Sequence, residues 1–206
     1  MIVVILGPQG SGKGTQARLI AEKLGFFYFG MGDLVRRLAD TDPALSRELA
    51  KGDLMPDSEG FEYVKRYLEN NNSFDNIVFD GFPRSVVQYE LLKNWLKEKG
   101  SSIDFAVLIS ITENESIKRL TNRRKDPKTG EIYNLVTNPP PDNVDRSSLV
   151  QREDDNPEAI KKRLELYKKV TLPLIEQFRE DGILIEIDGE QPIDVIFDNI
   201  SSKLSK

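Results

Sequence analysis

Apolar residues in this chain gather into short runs. Ile2 to Leu6, Phe26 to Phe29, Ile77 to Phe79, Phe105 to Ile109 and Ile183 to Ile187 are dominated by β-branched, leucine and aromatic side chains, with Glu186 the one charge among them. Such runs lack the alternation of a half-exposed strand, so each predicts a strand buried on both faces. Between them the apolar spacing changes to three and four. Ala17, Leu19, Ile20 and Leu24 precede Gly25, FEYVKRYLE precedes Asn70 to Ser73, and Leu91, Leu92, Trp95 and Leu96 precede Gly100. A fourth stripe is Ile160, Leu164, Tyr167, Val170 and Leu174, with Pro173 expected to kink or end that helix. These stripes predict helices packing one face on a core, with the glycines as stops. Strands alternating with helices predict an α/β fold, a five-stranded parallel sheet with helices on both faces.

Two stretches depart from that rhythm. Residues 30 to 57 hold two short helices separated by Asp42-Pro43, and residues 125 to 151 lose periodicity and carry Pro127, Gly130, Pro139, Pro140 and Pro141. Both predict insertions into one domain. Capping residues mark the helix starts: Asp57 or Ser58, Ser85, and Asn156 ahead of Pro157. Thr112 to Glu115 matches a capping box and predicts a helix running through Arg119 and Arg123, which would then share a face.

Composition narrows the chemistry. A chain of 206 residues buries one good core. Its net charge of −5 comes from interspersed signs, without a basic face for nucleic acid, and no apolar segment approaches a membrane span. The first six residues are too short for a signal peptide and are expected to stay in the mature protein. Cysteine is absent, which fits a reducing, cytoplasmic location, and without an obvious apolar patch a monomer is expected. Histidine is absent too, so any mechanism must work without imidazole.

The segment Gly7 to Thr15, GPQGSGKGT, sits between the first strand and the first helix. Glycines there let backbone N–H groups converge on phosphate oxygens at a helix N-terminus, and Lys13 adds a full positive charge. Gly14 stands where the usual Ser or Thr would be and Thr15 comes one later, which weakens direct magnesium ligation by the loop.

GPQGSGKGTQA, GDLVRR, DGFPRSVVQ, RLTNRR, TGEIYN, NPP and QREDDNPEAIKKRL occur in that order, and in this the chain resembles the adenylate kinases from residue 1 to about 190. The resemblance implies a core of 1–29, 60–121 and 156–206, a nucleoside-monophosphate flap of 30–59 and a lid of 122–155. It implies ATP contacts from Gly10, Ser11, Gly12, Lys13, Gly14, Thr15, Arg119, Arg123, Ile132, Tyr133 and Gln191. It implies AMP contacts from Met31, Arg36, Asp53, Leu54, Met55, Gly81, Phe82, Pro83, Arg84, Gln88, Arg152 and Arg163. Lys13, Arg84, Arg123, Arg152 and Arg163 are the implied catalytic set, and Asp80 would orient water on Mg2+. The chemistry is consistent with those residue types. Moving a phosphoryl group between phosphates gathers negative charge that arginine neutralises bidentately, and an ionised phosphate acceptor needs no base. Asp154 and Asp155 admit two readings, pairing with lid arginines or favouring the next helix's N-terminus.

Two departures from the family pattern stand out. The flap usually reads Ser-Thr-Gly-Asp and here reads Gly30-Met31-Gly32-Asp33, replacing a hydroxyl near the acceptor base with a thioether. Gln88 and the long lid favour AMP, with looser acceptor binding expected. Some relatives carry four zinc-binding cysteines in the lid; Asp126, Thr129, Asp142 and Asp145 fall there, so no zinc is expected, and a hydrogen-bonded lid with Lys125, Lys128 and Arg146 offsetting the carboxylates is. The expected reaction is ATP plus AMP to two ADP. The alternatives are a UMP or CMP acceptor and a nucleotide-binding module without catalysis.

Overall fold

The computed structural model describes residues 1–50 and 55–205. In chain order the elements are β1 (Ile2–Leu6), α1 (Lys13–Leu24), β2 (Phe27–Gly30), α2 (Met31–Ala39), α3 (Pro43–Ala50) and α4 (Asp57–Asn70). There follow β3 (Ile77–Asp80), α5 (Val86–Glu98), β4 (Phe105–Ser110), α6 (Glu113–Thr121), β5 (Arg123–Lys125) and β6 (Ile132–Asn134). The chain continues through α7 (Pro157–Leu166), α8 (Leu172–Glu180), β7 (Leu184–Asp188) and α9 (Ile193–Leu204).

The five long-run strands form one parallel sheet in the order β2-β3-β1-β4-β7. Ile2 to Leu6 in its middle are almost wholly buried, because both faces are covered. One face packs Val4, Leu6, Phe79, Leu92, Leu96 and Phe178; the other packs Val3, Ile5, Ile20, Val107, Phe197 and Ile200. Removing each large side chain from water contributes about 1.5–3 kcal/mol. This is the predicted α/β architecture, a five-stranded parallel sheet with helices on both faces. All strands point the same way, so the loops after β1, β3 and β4 gather at the carboxyl edge of the sheet, where ligands bind in such folds.

Several local expectations hold. Gly25 takes a left-handed conformation behind α1, Ser85 accepts from the Gln88 N–H, and Asn156 accepts from the Ala159 N–H with Pro157 behind it. Others need correction. Neither Asp57 nor Ser58 caps α4: Pro56 precedes it, Asp57 is its first residue, and the Asp57 carboxylate accepts from the Ser85 hydroxyl at 2.9 Å. Thr112 caps α6, but Glu115 pairs with Arg119 instead of reaching back, and the Thr112 N–H donates to Glu190. That helix ends at Thr121, so Arg123 belongs to β5 of the small β5–β6 hairpin. Pro173 lies in the first turn of α8, behind a π-helical segment, Tyr167–Thr171, that joins α7 to α8 without a break. The helix α9 was not anticipated.

Candidate active site

The carboxyl edge of the sheet opens into a cleft of about 970 Å3. Its floor is the loop between β1 and α1. Gly12 has φ 91° as it leads into α1, a left-handed turn that aims the next amides inward. Lys13, the first residue of the helix, folds back so that Nζ donates to the carbonyls of Gly7 and Pro8, both at 2.7 Å. The Ser116 hydroxyl of α6 braces the loop by donating to the Gln9 carbonyl. Ser11 Oγ and Gln9 Oε1 are buried without hydrogen-bond partners. Burial pushes the Lys13 ammonium down to about 7; Asp80 opposes the shift, and Arg84, Arg163 and Arg123 reinforce it.

The turn after β3 forms the second wall. Asp80 ends the strand, and burial raises its pKa against the opposing charges of Lys13 and Arg84. A Cβ on Gly14 would stand 3.0 Å from Asp80 Oδ2. The glycine at the usual Ser/Thr position therefore leaves room for the carboxylate. Past Gly81, the Arg84 side chain donates through Nε to the Gly81 carbonyl at 2.7 Å. Its backbone N–H donates to Gln88 Oε1 at 2.8 Å, and its carbonyl accepts from the Thr171 hydroxyl at 3.0 Å. The Gln88 amide is thus oriented, with Oε1 held and Nε2 left to face the pocket where Met31 and Met55 approach Gly60. Burial, with Arg163 and Arg36 nearby, lowers Arg84 to about 10.

The third wall carries the remaining arginines. Arg123 grips Asp155 with two prongs, Nε to Oδ2 at 2.7 Å and one terminal nitrogen to Oδ1 at 2.5 Å. Arg163 pairs with Asp154 at 2.9 Å and lies 3.6 Å from Asp155. Both aspartates therefore pair with arginines, and Asp154 and Asp155 also form the short 3-10 turn just before the Asn156 cap of α7. Burial opposes ionisation of Asp154, yet Arg163, Arg123, Arg152 and Arg36 hold its carboxyl below the ordinary range. Arg152 is lowered to about 9 by burial and by Arg123 and Arg36, and its Nε is buried without a partner. Lys13, Arg36, Arg84, Arg119, Arg123, Arg152 and Arg163 all line the one cleft, and Asp80 and Asp154 are the aspartates that join them beside Asp33. Such an excess of cations suits a polyanion.

Gly10, Ser11, Gly12, Gly14, Thr15, Met31, Met55, Gly81, Pro83, Gln88, Ile132, Tyr133 and Gln191 also line the cleft. Arg119 is clamped beside the end of β7, donating to Glu115 at 2.7 Å and to the Gly189 carbonyl at 2.9 Å; Gln191 is held by Asp188 at 2.8 Å. Phe82 is different: its side chain is fully buried against Phe79 in the core and does not line the cleft. Asp53 and Leu54 lie outside the described residues. In the hairpin region Asp126 accepts from the N–H groups of Lys128 and Thr129, and Asp145 accepts from Ser147, so these carboxylates brace turns. Arg146 lies 3.5 Å from the Pro140 carbonyl.

Sequence reasoning missed Tyr28 and Arg18. The Tyr28 hydroxyl lies 3.1 Å from Asp33 Oδ2 and 3.3 Å from Asp80 Oδ2, and the Arg18 guanidinium sits 4.5 Å over its ring while pairing with Asp33. Burial together with Asp80 and Asp33 raises the phenol's pKa, so it remains a donor. The available signal was a hydroxyl inside an otherwise apolar run two residues before an unexpected glycine.

A family model described as adenylate kinase matches residues 5–183. The adenylate kinase of Clostridium botulinum (strain Loch Maree / Type A3) is 37% identical over 214 residues, covering 100% of this chain and 99% of its own. That of Oceanobacillus iheyensis is 36% identical over 214 residues with 100% of both chains covered, and that of Thermococcus kodakarensis is 37% identical over 212 residues, covering 99% of this chain and 94% of its own. The matched span includes the loop after β1, the turn after β3 and the segment from Arg123 to Arg163, and the chain belongs to the adenylate kinase family, whose members are nucleoside monophosphate kinases.

Proposed function

We propose that the cleft transfers the terminal phosphoryl group of ATP to AMP and runs the reverse reaction from two ADP. The convergence of Arg36, Arg84, Arg119, Arg123, Arg152, Arg163 and Lys13 on one cleft carries this reading. Binding a single nucleotide does not require cations on three walls, whereas two nucleotides meeting phosphate to phosphate do. The loop of Gly10 to Thr15 holds the ATP phosphates, Arg119 and Gln191 flank its base, and Ile132 and Tyr133 cover it. Arg36 and Arg84 hold the AMP phosphate, while Met31, Met55, Gly60 and Gln88 enclose its base. Lys13, Arg123, Arg152 and Arg163 neutralise the charge in transit. Because the acceptor oxygen is already ionised, no proton has to be abstracted.

Segments 30–59 and 122–155 act as a flap and a lid that close over the nucleotides, exclude water and bring their arginines in. Mg2+ is the expected companion of ATP. Asp80 fits it: a hard oxygen donor at the sheet edge, beside Lys13, with Gly14 leaving its face open. Bound there, the ion would offset phosphate charge; Asp80 would hold its water. We place the chain in the cytoplasm as a monomer, without zinc; no helix among the described residues is long and apolar enough to cross a membrane.

The test is an acceptor panel of AMP, GMP, CMP and UMP with ATP and Mg2+, following ADP. The expected result is ADP formation that depends on the monophosphate and is fastest with AMP. Faster turnover with CMP or UMP would move the acceptor to a pyrimidine. ATP binding with no ADP from any acceptor would leave only a nucleotide-binding module.

A further inference from the structure

Gly30 ends β2, and the backbone there needs no unusual φ. What requires the glycine is space. A Cβ at residue 30 would collide with the Tyr28 hydroxyl and stand 2.8 Å and 3.0 Å from its Cζ and Cε1. The bare glycine lets the Tyr28 side chain fold across residue 30 and place its hydroxyl between two carboxylates. One of these, Asp33, accepts from Arg36 at 2.8 Å through its other oxygen. The second, Asp80, ends β3.

We propose that Tyr28 is a positioning residue of the reaction: its hydroxyl, shared by Asp33 and Asp80, ties the helix bearing Arg36 to the end of β3, and Gly30 exists to admit it. This rests on the acceptor-phosphate role given to Arg36 above. The phenol's one hydrogen can turn to either carboxyl group, so the hydroxyl bridges two acidic groups that would otherwise repel across the gap. The repulsion would swing Asp33, and Arg36 with it, away from the acceptor side. Arg18 completes the support by stacking on the ring and pairing with Asp33.

Tyr28→Phe keeps the ring and its Arg18 contact and removes only the hydroxyl. In EDTA, without ATP, calorimetry should show AMP binding weakened about tenfold or more, and with ATP and Mg2+ kcat should fall by a similar factor, the size expected for losing a hydrogen bond to a charged group. The KM for ATP should change less than the affinity for AMP, since the loop of Gly10 to Thr15 keeps its own contacts and only Asp80 beside it loses a partner. Gly30→Ala should produce the same pattern by displacing the ring, yet add little to Tyr28→Ala. Wild-type AMP affinity and kcat in Tyr28→Phe would overturn the role while leaving the proposed reaction intact. So would a drop in thermal midpoint with both constants retained, because the hydroxyl would then only support the fold. A wild-type chain that forms no ADP from ATP and AMP would instead sink the reaction and this role with it.

Discussion

Arg123 and Asp155 form a two-pronged ion pair in which the aspartate side chain is fully removed from solvent. The pair crosses from the β5–β6 hairpin to the turn before α7, so it fixes where a cation on a short, otherwise lightly held strand points into the cleft.

Asp155→Asn keeps the shape and one acceptor but removes the charge. A buried guanidinium left half-satisfied costs about 1–3 kcal/mol. Urea unfolding should show a loss of that order, and kcat should fall about tenfold or more with the KM for AMP little changed. Wild-type unfolding and turnover would mean that Arg123 finds its orientation elsewhere.

Gly14→Ala separates stability from activity. Residue 14 lies inside α1, where alanine is favoured over glycine by about 1 kcal/mol. Its Cβ would press on Asp80 Oδ2 at 3.0 Å. The thermal midpoint should hold or rise while kcat drops about tenfold by displacement of Asp80. Activity equal to wild type would show that Asp80 moves without consequence.

Gly60→Ala probes the acceptor pocket. Its Cβ would touch Met31 Cε at 3.4 Å and Gln88 Nε2 at 3.6 Å, filling space assigned to the acceptor base. The KM for AMP should rise about tenfold with that for ATP unchanged, because one pocket alone shrinks. Met31→Thr should act oppositely on discrimination, raising the AMP preference over CMP and UMP. Equal effects on both nucleotides in Gly60→Ala would place the acceptor base elsewhere.

Lys13 gives a signed pH effect. Its pKa is depressed to about 7 in the ligand-free chain by burial, with arginine repulsion adding to it. Phosphate anions favour the charged ammonium and raise that value. Above about pH 7, nucleotide binding should therefore take up a proton. Calorimetry at pH 8 in buffers of different ionisation enthalpy should detect net uptake, which shrinks in Lys13→Met. Proton release, or uptake unchanged by that substitution, would contradict the shift.

The sheet was legible because its strands are unbroken apolar runs, a signal tertiary context reinforces. The phosphate loop was legible because glycine spacing and Lys13 carry their own mechanism. Arg123 was misplaced because helical continuation past Thr121 looks the same in sequence as a helix that stops; Asn122 instead caps its own turn, donating to the Lys118 carbonyl at 2.9 Å. Asp57 looked like a cap, yet its carboxylate is engaged by Ser85 across 28 positions, a partner no local pattern shows. Gln88 was expected to favour AMP, and only the fold reveals that the Arg84 N–H occupies its side-chain oxygen. Tyr28 passed as one more core aromatic because the space that gives its hydroxyl a task is opened by the absent side chain of Gly30.

The most direct measurement is a crystal structure with two adenosines joined by five phosphates. The account predicts Lys13, Arg36, Arg84, Arg123, Arg152 and Arg163 within hydrogen-bond distance of that phosphate chain, with segments 30–59 and 122–155 folded over it. Guanidiniums turned to solvent around a bound ligand would contradict it.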